Sequence, residues 1–197
     1  MCGRFFIDPD DTPEALAEIL AILEEQARRK DPSYRIKRGE ICPTDEAAVL
    51  ALNRRLAPAN FLMRWGYHLD KRLVFNARAE SAAEKPLFRE SAARRRCLIP
   101  ASAYYEWDHR EAKPVKYRFA VSGQPVMYLA GLYRFEPSSD RPVFTILTRP
   151  AAERVACFHP RMPVILPEEG IARWLDPSRS FTDACAGLID DLVWKPA

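Results

Sequence analysis

The chain has 197 residues, of which 48% are hydrophobic and 29% charged, with a formal net charge of +3 at pH 7. This composition is typical of a globular protein large enough to bury a core, and we expect one domain over residues 1–197. The charge is too small to require or exclude nucleic acid as a partner. Residues 1–13 lack the apolar run of a signal peptide, and no stretch approaches the ~18 apolar residues of a membrane span. We therefore expect a cytoplasmic protein without a membrane segment.

The cysteines give no sign of a disulfide framework or a zinc site. There are five, at positions 2, 42, 97, 157 and 185, and none forms a CxxC pair; the chain has only 3 histidines. An odd number of widely spaced cysteines is typical of a protein in a reducing compartment. We predict no metal and no cofactor.

The N-terminal segment is predicted to be extended and is followed by one strong helix. Thr12 and Pro13 supply a cap residue and a proline suited to the first helical turn. Apolar residues then recur with helical spacing at Leu16, Ile19, Leu20 and Leu23, and the basic run 28–30 suits the C-terminal end of a helix. Residues 2–7 precede this helix and are expected to enter the protein body as a strand.

Beyond the helix, short runs rich in β-branched and aromatic residues predict a series of strands. Two runs flank Ser122 and Gly123 and are expected to form a hairpin, while helices are expected near 87–95, 151–158 and 168–175. The predicted strands are 47–52, 61–65, 73–77, 97–100, 104–107, 115–121, 126–133, 143–148 and 164–166. This pattern favours an α+β fold built on a mostly antiparallel, barrel-like sheet with a few peripheral helices.

Cys2 can take part in a reaction that is not open to an internal cysteine. If Met1 is removed, Cys2 carries an α-amine and a thiol on adjacent carbons. The amine can condense with an aldehyde to an imine, and the thiol can then close on the imine carbon to give a thiazolidine. We expect little need for activation, because such an amine titrates near ~8 and a cysteine near ~8.5. The alternative is that a cysteine at position 2 has no role.

Four polar residues stand where packing alone would not place them. Asn76 and Arg78 follow an apolar strand and share one face of it, although asparagine at a strand end is commonly a turn former. Glu106 lies among aromatic residues, a setting that suits a general acid or base, unless it faces water on an edge strand. His159 lies in a loop stiffened by two prolines, where it is either a precisely placed acid–base group or a structural hydrogen-bonding residue.

Arginines and tryptophans near these positions suit nucleic acid. Arg4, Arg78 and Arg161 are cationic, and Trp65 and Trp107 offer aromatic faces. Proteins that bind single strands combine such groups, although scattered arginines and tryptophans are also ordinary surface and core residues.

Taken together, the motifs resemble a known family. They are Met-Cys-Gly-Arg-Phe at 1–5, Cys-Pro-Thr at 42–44, Trp-Gly at 65–66, Asn-Ala-Arg-Ala-Glu at 76–80, Arg-Cys-Leu-Ile-Pro at 96–100, Tyr-Glu-Trp at 105–107, Ala-Gly-Leu at 130–132 and His-Pro-Arg-Met-Pro at 159–163. In this order and over almost the whole chain, they resemble the SOS response-associated peptidase family, known for capturing abasic sites in single-stranded DNA.

The resemblance implies a function and a set of residue roles. Cys2, freed of Met1, would form a thiazolidine crosslink with the ring-opened abasic sugar and so shield the lesion in the DNA damage response. The other implied catalytic residues are Asn76, which positions the sugar, Glu106, which moves protons, and His159, which assists proton transfer and reversal. The implied DNA-binding residues are Arg4, Pro43, Trp65, Arg78, Trp107 and Arg161.

The resemblance further implies a monomer that associates with the nucleoid when bound to single-stranded DNA containing abasic sites, with lyase-like chemistry and a cysteine-type (auto)peptidase activity. The sequence departs from the family pattern at Ala103–Tyr104 and at 148–150, which leaves fine DNA contacts open. Two other hypotheses remain: an N-terminal-nucleophile amidohydrolase or peptidase, since some of these also begin Met-Cys-Gly, and a noncatalytic single-strand-binding module.

Overall fold

Strands dominate the part of the chain that the computed structural model describes, which is residues 2–110, 113–137 and 139–197. The helices in these ranges are α1 (Glu14–Arg28), α2 (Ala79–Ala82), α3 (Arg89–Arg94), α4 (Glu153–Ala156), α5 (Ile171–Leu175) and α6 (Phe181–Ala184), with a 3₁₀ turn at Glu168–Gly170. The strands are β1 (Phe5–Ile7), β2 (Gly39–Ile41), β3 (Glu46–Leu52), β4 (Pro58–Trp65), β5 (Tyr67–Leu69), β6 (Arg72–Val74), β7 (Asn76–Arg78), β8 (Arg96–Ala101), β9 (Ala103–Asp108), β10 (Val115–Val121), β11 (Met127–Arg134), β12 (Val143–Pro150), β13 (Arg161–Pro163), β14 (Ile165–Leu166) and β15 (Leu192–Pro196).

The predicted N-terminal helix is confirmed as α1. Pro13 immediately precedes it, Glu14 places a carboxylate in its first turn, and Arg28 places a guanidinium in its last turn. One apolar stripe, formed by Leu16, Leu20, Leu23 and Ala27, is buried. Because this stripe repeats with the helical period, α1 packs one face on the core and leaves the other in solvent. No helix in the described ranges is long and apolar enough to cross a membrane.

The first sheet has the strand order β15–β10–β9–β1–β2, and every pairing in it is antiparallel. The short strand β1 lies between β9 and β2, with Phe5 opposite both Tyr104 and Ile41. Phe5 and Ile7 are fully buried, because alternate side chains of β1 point into the core. The prediction that the N-terminal segment enters the body as a strand is confirmed for Phe5–Ile7, whereas residues 2–4 lie outside the strand.

The second sheet is built around β12. Its strand order is β13–β12–β4–β3–β8–β11–β14; β12 also pairs with β11 and, in parallel, with β7. The β12–β4 pairing is parallel too, and the remaining pairings of this sheet are antiparallel. The predicted α+β class with extensive antiparallel pairing is therefore confirmed.

The predicted hairpin between 115–121 and 126–133 is wrong. Both strands exist, but β10 pairs with β9 and β15, whereas β11 pairs with β8, β12 and β14. The turn at Gly123, with φ of +69°, therefore passes the chain from one sheet to the other. Val121 and Met127, on either side of that turn, are buried in the same core cluster, so packing between the sheets replaces pairing within one sheet.

The predicted strand 73–77 is divided in two. β6 ends at Val74 and β7 begins at Asn76, and Phe75 lies between them. The Phe75 carbonyl accepts hydrogen bonds from the Trp65 indole at 2.8 Å and from the Ile146 amide at 3.1 Å. These bonds turn the chain away from β5 and lead it to β12, which places Asn76 on the second sheet.

Candidate functional site

Cys2 lies at the N-terminal end of β1, inside the protein. Its relative exposure is 0%, and its Sγ lies 3.8 Å from the carbonyl oxygen of Arg4. The Tyr105 amide donates to the Arg4 carbonyl at 3.0 Å, so the pairing of β1 with β9 extends beyond Phe5. Continuing this register brings Gly3 opposite Glu106, which places Cys2 directly beside the Glu106 strand position.

Burial changes the chemistry expected of the Cys2 thiol. Loss of solvent raises the pKa of this thiol well above its ordinary value, and the neighbouring Glu106 charge raises it further. The expectation that the thiol needs little activation is therefore wrong for the buried group. A proton acceptor beside the sulfur becomes necessary, because only the thiolate is strongly nucleophilic. Removal of Met1, on which the amine chemistry depends, concerns a residue outside the described ranges.

Glu106 faces the same interior as Cys2. It is 6% exposed, and it shares one face of β9 with Tyr104, which is 1% exposed. Burial raises the pKa of the Tyr104 hydroxyl, and the charges of Cys2 and Glu106 raise it further. The thiol, the phenol and the carboxyl are thus close enough to influence one another in a poorly solvated setting. Tyr104 was not predicted as part of the site, although its position two residues before Glu106 on a strand puts it on the same face.

The side-chain oxygen of Asn76 is a buried hydrogen-bond acceptor that a ligand could use. Its Nδ2 donates to the carbonyls of Phe75 at 3.0 Å and Ile146 at 3.4 Å. Its Oδ1 is buried and, among the described residues, has no hydrogen-bond partner. Because a buried acceptor without a partner is costly, this oxygen suits a ligand hydroxyl or amine.

Trp65 connects the Cys2 strand to the Asn76 strand. Its ring lies 5.2 Å from that of Phe5 and 6.0 Å from that of Phe75, between centroids. Trp65 is 0% exposed, so it has no free face on which a base could stack. The predicted base contact is therefore corrected: full burial makes Trp65 a packing residue that fixes β1 relative to β7.

His159 lies in the loop between α4 and β13 and is half-buried. Its Nδ1 lies 2.9 Å from the Arg161 amide nitrogen and 3.0 Å from the Arg161 carbonyl oxygen, so the backbone of Arg161 fixes the orientation of the ring. The preceding residue, Phe158, packs on Tyr117 with ring centroids 4.7 Å apart, and Tyr117 is the register partner of Glu106. This contact brings the His159 loop to the strand beside Glu106.

Pro43 lies at the border of this site, in the turn between β2 and β3. The Cys42 amide donates to Asp45 Oδ2 at 2.7 Å, and the Thr44 amide donates to the Trp65 carbonyl at 2.8 Å. Thr44 adopts φ of +82°, in the left-handed region. Since β2 is the other neighbour of β1, this turn runs alongside the Cys2 end of β1.

Arg4 and Trp107 are together, but on the outer face of the first sheet, opposite Glu106. Arg4 Nε bonds to Glu40 Oε1 at 2.9 Å, and the other Glu40 oxygen binds Lys116. The Lys116 ammonium lies 5.5 Å from the Trp107 ring centroid. These half-buried groups form a charged and aromatic surface beside the N-terminal segment.

Arg78 and Arg161 lie on either side of one carboxylate, Glu80. The Arg161 guanidinium binds both Glu80 oxygens, and its Nη2 also donates to the Thr148 carbonyl at 2.7 Å. Arg78 is exposed and has no ion-pair partner within the described ranges. The Arg161 hydrogen bond lowers the pKa of Glu80, and the Arg78 charge adds to that effect. Glu80 was not predicted, although it ends the Asn-Ala-Arg-Ala-Glu motif.

Within the described residues, no three His, Cys, Asp or Glu side chains come together as a metal site would require.

The site thus combines a buried Cys2 thiol beside the Glu106 carboxyl in an α+β fold of two large, mostly antiparallel sheets. The sequence model described as SOS response associated peptidase (SRAP) matches residues 1–194. The chain belongs to this family, which confirms the predicted resemblance.

Two relatives agree with this assignment, and a solved structure shares the fold. The chain is 32% identical to the abasic site processing protein YoqW of Bacillus subtilis, over 96% of this chain and 86% of that protein. It is 28% identical to the abasic site processing protein YedK of Escherichia coli, over 93% and 83%. A crystal structure of a protein from Bacteroides thetaiotaomicron has the same fold, with a TM-score of 0.76 at 19% identity, over 99% of this chain and 91% of that one.

Proposed function

We propose that the chain, once freed of Met1, captures abasic sites in single-stranded DNA as a thiazolidine formed by Cys2. The observation that carries this proposal is the placement of Cys2 beside Glu106, with the open Asn76 acceptor held nearby by the Phe5–Trp65–Phe75 contacts. The names of the relatives, which describe abasic site processing, support the lesion as the target.

In the proposed reaction, two bonds form at one carbon. The Cys2 amine adds to the aldehyde carbon of the open sugar, and loss of one water gives an imine. The sulfur then adds to the imine carbon, and the thiol proton ends on the ring nitrogen. Glu106 takes the thiol proton as the sulfur attacks and returns it to nitrogen, which the buried thiol needs because its pKa is raised.

Two further groups hold the sugar in this scheme. Asn76 Oδ1 accepts a hydrogen bond from the amine or a sugar hydroxyl. The His159 imidazole exchanges a proton with the departing or returning sugar oxygen, an assignment supported by the ring orientation that the Arg161 backbone fixes at Nδ1. Away from Cys2 and Glu106, phosphates that flank the lesion bind to three arginines, Arg78, Arg161 and Arg4. Trp107 packs beside a base. We assign two further activities to the same groups: lyase-like cleavage of the DNA strand, and removal of residues that precede Cys2.

The test is a denaturing gel of the protein incubated with single-stranded DNA that carries one abasic site. The mass of the intact protein first establishes that Met1 is absent. We expect a slower band that survives denaturation and is lost in Cys2→Ala but kept in Cys157→Ala, which removes an exposed cysteine. Absence of this band from protein that lacks Met1 would contradict the proposal.

Two further measurements separate the alternatives. Cys2→Ser keeps the amine and should give only an imine that requires borohydride trapping, whereas an equally stable adduct without reductant would exclude thiazolidine formation. Glutamine hydrolysis by the same preparation would favour the N-terminal-nucleophile amidohydrolase. Salt-sensitive binding that is fully reversible would favour the noncatalytic single-strand-binding module.

A further inference from the structure

The Arg161 guanidinium is almost fully engaged before any ligand arrives. Both Glu80 oxygens bind it, and the Thr148 carbonyl and hydroxyl lie 2.7 and 3.3 Å from Nη2. Its Nε is buried and has no hydrogen-bond partner among the described residues. Arg161 therefore cannot present a two-pronged donor face to a phosphate while Glu80 stays where it is.

Glu80 covers Arg161 from the solvent side. The Glu80 side chain is 46% exposed and that of Arg161 only 15%. A carboxylate and a phosphate offer the same pair of oxygens to an arginine fork, so Glu80 occupies the position that a phosphate would take. Because the pair is accessible to water through Glu80, its exchange for another anion requires no unfolding of the core.

Arg78 makes such an exchange favourable. It is exposed, belongs to the same segment as Glu80, and has no ion-pair partner within the described ranges. The exposed Arg78 charge is available to attract a phosphate to this edge, and the Glu80 side chain is exposed enough to move into water when it is displaced.

From this geometry we propose that Glu80 is an internal competitor for the DNA backbone: it occupies the phosphate-binding face of Arg161 in the free protein and is displaced by a phosphate of the bound single strand. Glu80 thereby limits binding to DNA that can also engage the interior of the site. The proposal rests on the proposed function, since it assigns the contact that flanks the lesion.

The experiment measures noncovalent affinity, in the Cys2→Ala background, for a fluorescent single strand that carries a stable tetrahydrofuran analogue of the abasic site. Glu80→Gln keeps the shape of the side chain and removes its charge, and Glu80→Ala removes the side chain. We expect both to tighten binding about two- to fivefold at 0.1 M salt, the range that corresponds to loss of an exposed ion pair.

Glu84→Gln is the matched control, because Glu84 is an exposed glutamate of the same segment without an ion pair within the described ranges. It removes the same charge and should change affinity by less than the Glu80 variants do. In an Arg161→Gln background the gain from Glu80→Gln should disappear. Urea unfolding of each variant checks that the fold is retained.

Weaker binding by Glu80→Gln would show that Glu80 positions Arg161 and would overturn the proposal. So would a gain no larger than that of Glu84→Gln, or a gain that persists without Arg161. If the Cys2→Ala protein itself binds no single strand at any salt concentration, the proposed function fails, which is a result distinct from unchanged binding by the Glu80 variants.

Discussion

The buried end of this candidate site, which we propose to be the reactive region, and its arginine rim are held by different forces. Cys2 and Glu106 are 0% and 6% exposed and are placed by strand register and aromatic packing. Glu80 and Arg161 are placed by an ion pair that opens to solvent through Glu80, and the exposed Arg78 lies in the same segment as Glu80. Register and packing cannot change without disrupting the core, whereas exposed ion pairs exchange with other ions. Substitutions at the first region should therefore alter chemistry, and those at the second should alter affinity.

The largest effect is expected for Glu106→Gln, which should change the rate of crosslinking without changing the affinity for DNA. Loss of the proton acceptor beside a buried thiol should slow crosslinking by about a hundredfold or more, the usual contribution of a general acid–base group. Single-turnover gels measure the rate, and noncovalent affinity should stay close to that of the parent protein. Glu84→Gln is the control for the charge change. A parallel loss of affinity would remove the distinction between the two regions.

Trp65→Ala should affect stability most. Trp65 is fully buried against Phe5, Phe75 and Phe144, so its removal should lower the free energy of unfolding by about 3–5 kcal/mol. Urea denaturation measures this change. Trp107→Ala, the same change on the half-buried outer face, should cost much less stability. Similar losses for both would mean that Trp65 does not join β1 to β7.

The pH dependence of alkylation tests the state of the Cys2 thiol. Its pKa is raised by burial, so the thiolate is scarcer at neutral pH than in an ordinary cysteine. Reaction with iodoacetamide, followed at each site by mass spectrometry, should rise about tenfold per pH unit and continue to rise above pH ~8.5. The exposed Cys157 serves as the reference and should react first. A Cys2 rate that levels off below that pH would contradict the raised pKa.

The smallest effect is expected at the rim. Arg78→Gln should weaken binding of any single strand to a similar extent and reduce the slope of log K against log salt by about 0.7, as expected when one phosphate contact is lost. Fluorescence anisotropy at several salt concentrations measures the slope. The crosslinking rate at saturating DNA should not change. A slower saturated rate would place Arg78 in the reactive region.

The sequence predicted the features that depend on neighbouring residues. The period of α1 and the extended N-terminus are local patterns, and both are confirmed. The partners of β10 and β11 were wrong because the Ser122–Gly123 turn signal is the same whether the chain folds back within a sheet or crosses to another. The burial of Trp65 depends on contacts with β1 and β12, which no local spacing reveals. The Arg161–Glu80 pair joins residues 81 positions apart.

The conformation of the turn that contains Thr44 affects how the proposed sugar ligand would bind. A β-branched residue at φ of +82° is rare, and such a conformation costs about 1–3 kcal/mol. The hydrogen bonds that maintain it anchor the turn to Trp65 and Asp45. The turn beside Cys2 is thus preorganised. A ligand would bind there by fitting an existing shape rather than by inducing a new one.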